Sequence, residues 1–191
     1  MKRSEINEVV KEATKFFNSN GWTLPPQPKW DVTDFGLGDF KGCGLVLVNL
    51  AEEPEYCEKL MYAQKGMVTP SHTHQKKKED IICRTGVLMV QLWKADPFKD
   101  NTAGVLKLKI NGLYTEIPSG DQVTLKAGER VTIEPGIWHE FWPESEACII
   151  GEVSTANDDL NDNFFSNDQI GRYSEIEEDE PASVKLLSDK S

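Results

Sequence analysis

Apolar residues open the chain at the spacing of one helix face. Ile6, Val9, Val10, Ala13, Phe16 and Phe17 stand at i, i+3, i+4, i+7, i+10 and i+11. Ser4 is the expected N-cap, Glu5 and Glu8 lie near the positive end of the helix dipole, and Asn20-Gly21 supplies the stop. Pro25-Pro26-Gln27-Pro28 then makes a stiff connector into Trp30. From residue 44 the period falls to two. Residues 45–50 and 87–93 read as buried strands, and 105–110 alternates up to Asn111-Gly112, a hairpin signal. Residues 122–125, 130–133 and 147–153 add further strands between Gly-containing turns. Short, regularly spaced strands with no helical stretch between them predict an all-β antiparallel sandwich or barrel behind an N-terminal α-helix.

Composition changes this picture little. The chain has 191 residues, enough for one domain with a real core, and 32 acidic against 21 basic side chains give a net charge of −11. That balance argues against a nucleic-acid partner, which would reward phosphate neutralisation. No apolar run approaches the roughly 18 residues of a membrane span, and the N-terminal segment is not a signal-peptide core. Cys43, Cys57, Cys83 and Cys148 show neither disulfide nor zinc-ribbon spacing, so reduced thiols in a cytoplasmic protein are expected. The expected organisation is a helix and connector over 1–29, a β domain over 30–173, and an acidic tail over 174–191. Residues 158–191 hold ten acidic residues against three basic ones, and 174–191 reads as a solvated arm. Phe164 and Phe165 could anchor a loop.

Candidate chemistry centres on the chain's only three histidines. His72 and His74 are two residues apart, so on a strand both imidazoles share a face. Glu79 could return round the turn Gln75-Lys76-Lys77-Lys78, and His139 follows the turn Pro135-Gly136 into another strand. Three imidazoles and a carboxylate suit manganese, iron, cobalt, nickel or zinc.

These residues resemble the cupin superfamily. Gly66-x5-His72-x-His74-x4-Glu79-x6-Gly86 matches its first motif, and Gly128 through Pro135-Gly136-x2-His139 matches most of the second. The second has one extra residue between Gly and Pro, and Pro143 replaces the usual Asn. The resemblance implies a jelly-roll (double-stranded β-helix) barrel with His72, His74, Glu79 and His139 as metal ligands. Beyond the motifs, the stretches 30–40, 72–82 and 151–154, with Asn157-Asp158-Asp159 and Asp162-Asn163-x-Phe165, are similar to the D-lyxose isomerase family. That likeness implies aldose–ketose isomerisation of D-lyxose and D-xylulose, with D-mannose and D-fructose as a side activity. It also implies manganese, with Co2+, Fe2+ or Zn2+ as alternatives, and a small pentose or hexose partner, while the cupin resemblance implies a homodimer paired through its sheets.

Isomerisation moves a proton between C2 and C1, which calls for a base, a Lewis acid and polar groups for the hydroxyls. Glu152 is the candidate base, because a carboxylate within Cys148-Ile149-Ile150-Gly151-Glu152-Val153 is unwelcome unless paired or functional. An outward-facing strand position is its alternative. Lys77 has the parity of Glu79 and could steady a developing anion, or belong to a solvated turn. Glu140 is the rival base, although alternation turns it from His139. Asp162 and Arg172 could close over the sugar, and Trp93, Trp138, Phe141 and Trp142 read as core or barrel-mouth packing. The same ligands also suit a non-haem iron dioxygenase, or a binding module without catalysis.

Overall fold

In the computed structural model, which describes residues 1–155, 158, 161–171 and 175–189, the two sequence periods become a long N-terminal helix and two sheets, with one further short helix. The elements are α1 (Arg3–Ser19), β1 (Lys29–Thr33), α2 (Phe40–Cys43), β2 (Leu45–Glu52), β3 (Tyr56–Gln64), β4 (Thr69–Thr73), β5 (Glu79–Thr85), β6 (Val87–Trp93), β7 (Val105–Ile110), β8 (Leu113–Pro118), β9 (Gln122–Lys126), β10 (Arg130–Ile133), β11 (Trp138–Pro143), β12 (Ala147–Thr155) and β13 (Phe164–Phe165). One sheet runs β1-β2-β3-β12-β5-β10-β7-β8 and the other β13-β4-β11-β6-β9, all pairs antiparallel. This is the jelly-roll cupin architecture. The β7–β8 hairpin turns at Asn111 (φ 52°) and Gly112 (φ 80°), the two consecutive positive φ angles of a type I′ turn.

Strand parity places the core. On β2, Leu45 and Leu47 face the interior between the sheets, while Val46 and Val48 face outward beneath α1. On β3, Met61 faces in and Leu60 and Tyr62 face out; on β12, Cys148 and Ile150 face in and Ile149 out. Ile6, Val9, Val10, Ala13 and Phe17 of α1 cover that outer face, so these strands read as nearly continuous apolar runs. Among the described residues, no helix is long and apolar enough to cross a membrane. All four cysteines are free thiols.

Two terminal expectations are corrected. Lys2, not Ser4, is the N-cap of α1, and its amide donates to Glu5 Oε2 at 2.8 Å. Ser4 lies inside the first turn, where its amide and hydroxyl donate to the Asp179 carboxylate at 2.9 and 2.7 Å. That contact belongs to the second correction: residues 175–189 are a strap on the domain, not a solvated arm. The Arg3 amide donates to the Glu177 carbonyl, the Glu177 amide donates to the Met1 carbonyl, and the guanidinium of Arg3, a residue 3 % exposed, donates to Glu178 (2.6 and 2.8 Å) and Asp189 (2.7 Å). Leu186 is buried against the α1 core beside Trp30, whose carbonyl accepts from the Leu187 amide at 2.9 Å.

Candidate active site

β4 and the residue after it carry His72 and His74, β5 begins at Glu79, and β11 sets His139 opposite His72 in register. One ligand atom from each of the four residues lies within 4.8 Å of all the others, and all four side chains are buried. The turn before β11 is tied to this group, because the Gly136 amide donates to the His74 carbonyl at 2.7 Å. Gly136 has φ +85°, a conformation a side chain would strain.

The hydrogen bonds show what the group can hold. Each imidazole Nδ1 meets a backbone carbonyl: His72 with Pro70 at 2.7 Å, His74 with Asp162 at 2.6 Å, His139 with Ile137 at 3.3 Å. A carbonyl only accepts, so Nδ1 carries the proton and each Nε2 presents a lone pair, the ligating tautomer. Burial, then the neighbouring His139 and His74, hold His72 well below the usual imidazole range, which favours the neutral ring. Burial works to raise the Glu79 carboxyl, but the Lys77 ammonium and then His139 hold it well below the ordinary value. Glu79 Oε1 stands 2.8 Å from His139 Nε2 and 3.5 Å from His74 Nε2, and these three buried atoms have no hydrogen-bond partner. Acceptors converging without a donor fit a divalent cation.

A second cluster adjoins it. Lys77 Nζ lies 3.0 Å from Glu79 Oε2 and 2.9 Å from Glu152 Oε1, and Lys59 Nζ lies 3.4 Å from the same Glu152 oxygen. Lys59, Lys77, Glu79 and Glu152 are each 6 % exposed or less. Their cavity is also lined by His72 and His74, by the polar Thr33, Thr69 and Asn163, and by an apolar wall that includes Phe35, Phe141 and Phe165.

The D-lyxose isomerase family model matches residues 27–190, and a D-lyxose/D-mannose isomerase of Escherichia coli O157:H7 is 34% identical over 99% of this chain and 98% of its own. The chain belongs to the D-lyxose isomerase family. A D-lyxose ketol-isomerase of Cohnella laeviribosi is 29% identical over 94% of this chain and 100% of its own. Among solved structures, the L-ribose isomerase of Cellulomonas parahominis with L-ribose superposes with a TM-score of 0.71 at 17% identity, covering 93% of this chain and 98% of that one. This last likeness concerns the fold.

Within this D-lyxose isomerase family member, the remaining candidate residues divide. Glu152 faces the cavity, not the solvent, and Lys77 reaches both carboxylates and is not a solvated turn residue. Glu140 lies on the opposite face of β11 from His139 and Phe141 and is not among the residues lining the cavity. Burial raises its carboxyl. Asp162 lies beside the candidate ligands, where its hydrogen bonds run to the backbone and to His74. Its carboxylate accepts from the amides of Gln75 (2.8 Å), Lys76 (3.1 Å) and Lys77 (2.9 Å), while its carbonyl orients His74. Arg172, Asn157 and Asp159 lie outside the described residues. Phe141 is buried in the cavity wall, while Trp93, Trp138 and Trp142 are half-buried. Lys59 was not anticipated from the sequence; its parity with Met61, opposite to Leu60 and Tyr62, was the available signal.

Proposed function

We propose that this chain interconverts D-lyxose and D-xylulose, and also D-mannose and D-fructose, at a divalent metal centre with manganese as the preferred ion. The observation that carries the reading is the buried Glu152 carboxylate between two lysine ammoniums, beside a cluster of three imidazoles and a carboxylate that offers only acceptors. The printed names of the relatives, D-lyxose/D-mannose isomerase and D-lyxose ketol-isomerase, support the substrate class.

His72, His74, Glu79 and His139 would hold the ion, which supplies Lewis acidity toward sugar oxygens. Glu152 takes the proton from C2 of the aldose as the aldehyde O1 gains one, giving the cis-enediol; the carboxyl proton, exchangeable with solvent, is then delivered to C1 as O2 gives up its hydrogen, so no group enters or leaves. The ammoniums of Lys77 and Lys59 stabilise the negative charge that grows on the substrate oxygen, more strongly in a water-poor cavity than in solvent. Asp162 holds the 75–77 loop so that Lys77 arrives at the cavity.

The test is incubation of manganese-loaded protein with D-lyxose in D2O under nitrogen. D-Xylulose carrying deuterium at C1 is expected. No ketose from either D-lyxose or D-mannose overturns the reading, and a strict need for O2 would point to an iron oxygenase on the same ligands. Glu152→Gln should retain metal while losing roughly 10²–10⁴-fold in kcat; full turnover would remove Glu152 from the role of base.

A further inference from the structure

The cavity beside the metal ligands has a volume of about 60 Å3, whereas small-molecule sites commonly offer several hundred. A sugar therefore requires one wall to move. Most of the lining residues stand on β2, β3, β4, β5, β11 and β12, strands that have a neighbour on each side in their sheets. Asn163 and Phe165 differ. They line the cavity and also an outer groove of about 510 Å3, so this wall is one residue thick.

The segment bearing them is anchored at both ends; between them its ties to the rest of the fold include the Ser166 amide, which donates to the Ser71 carbonyl at 3.0 Å, and a solvent-exposed ion pair of Asp168 with Lys99 at 2.6 Å. Asp162 is fixed by the amides of the 75–77 loop, and the Gly171 amide donates to the Phe35 carbonyl at 3.0 Å. Between these anchors, β13 is a two-residue strand at the sheet edge, paired on one side only, with β4. The Phe165 ring packs on Phe35 (centroids 5.8 Å apart) and His72 (5.5 Å). Asn163 Oδ1 is buried without a hydrogen-bond partner, a group that gains one when a sugar hydroxyl arrives. We infer that residues 163–170 are the gate of the active site, opening between Asp162 and Gly171, with Phe165 as the ring that closes it. This rests on the reading that the cavity takes a sugar, and its test is arranged to be separable from turnover.

Ser71 Oγ and Ser166 Oγ lie 3.3 Å apart and are both buried, one on β4 and one in the gate. The double variant Ser71→Cys/Ser166→Cys therefore places two thiols where a disulfide can lock the gate. Diamide would take the two electrons and two protons. Binding of D-arabinitol, a non-reacting polyol, is followed by stopped-flow tryptophan fluorescence alongside isomerisation of D-lyxose, with metal content measured throughout. The oxidised double variant is expected to keep its metal but to bind the polyol at least about tenfold more slowly. Dithiothreitol should restore the rate, and each single variant should not respond to diamide. Equal association rates in the oxidised and reduced forms overturn the gate. If the reduced protein binds the polyol but isomerises no aldose, the proposed reaction fails and the gate is still judged by the polyol. Phe165→Ala, which leaves the β13 backbone bonds in place, provides an independent check. It should raise the association rate, and an unchanged rate argues against the ring as the closing element.

Discussion

An ammonium inside a barrel is tolerated only where a carboxylate meets it, and Lys59 and Lys77 are both matched in this way by Glu152. Replacing Lys59 with Met removes one donor while filling much of the same volume. The expected outcome is a fall of roughly 10²–10³-fold in kcat with metal content unchanged, measured by steady-state kinetics and metal analysis. Asp162→Ala tests a different link. It frees the 75–77 amides next to His74, and metal affinity should fall about 10–100-fold in a competition titration. The clustering of the candidate metal ligands could be read in advance because two histidines at i and i+2, a carboxylate after a short turn and a third histidine after Pro-Gly form a local code. Lys59 had no such code. Only the covering of β3 by α1, which assigns Leu60 and Tyr62 to the outside, turns Lys59 inward. Glu152 was half legible: its apolar strand marked it as unusual, but the same strand is covered on both faces, so hydrophobicity alone could not give its direction.

At the scale of elements, α1 is held to the barrel by its apolar stripe and to the C-terminal strap by charge. The stripe was legible from its period. The strap was not, because Glu178, Asp179 and Asp189 find Arg3 and Ser4 at the opposite end of the chain, and acidic residues close together in sequence resemble a solvated arm until those partners are present. Hydrogen bonds from Arg3 hold Glu178 below its ordinary value, and those from Ser4 do the same for Asp179. For Asp189, burial pushes upward, but Arg3 and the Leu186 amide outweigh it and the group is also lowered. Carboxylates lowered in the folded state stabilise it above their unfolded values, about 4, and that stabilisation is lost as pH falls through the lower folded values. The strap should accordingly become sensitive to limited proteolysis by pepsin below about pH 4, before the barrel does. Arg3→Met removes the shared partner and should cost on the order of 1–3 kcal/mol at neutral pH, seen as a drop of several degrees in Tm. A Tm equal to that of the parent chain would mean that α1 is held by its apolar face alone.

For the molecule as a whole, the candidate metal ligands bring the two sheets together. His72, His74 and His139 come from β4 and β11 of the five-stranded sheet or the residue following β4, and Glu79 comes from β5 of the eight-stranded one. A cation at their centre would therefore tie the halves of the sandwich together, replacing the mutual repulsion of acceptor atoms with attraction. An ion that binds only the folded state stabilises it by RT ln(1 + [M]/Kd), about 2.7 kcal/mol at a hundredfold excess over Kd. Chelator-treated protein should therefore melt several degrees lower than protein with manganese restored. The difference should grow with the logarithm of the manganese concentration. His139→Ala, which removes one ligand from the smaller sheet, should abolish this dependence, whereas Glu140→Ala, one residue along the same strand but on its other face, should preserve it. The contrast between adjacent positions separates a specific ion between the sheets from manganese attracted by the chain's net charge of −11, because each variant changes the overall charge by no more than one unit. A manganese response that survives His139→Ala undiminished would place the stabilising ion elsewhere.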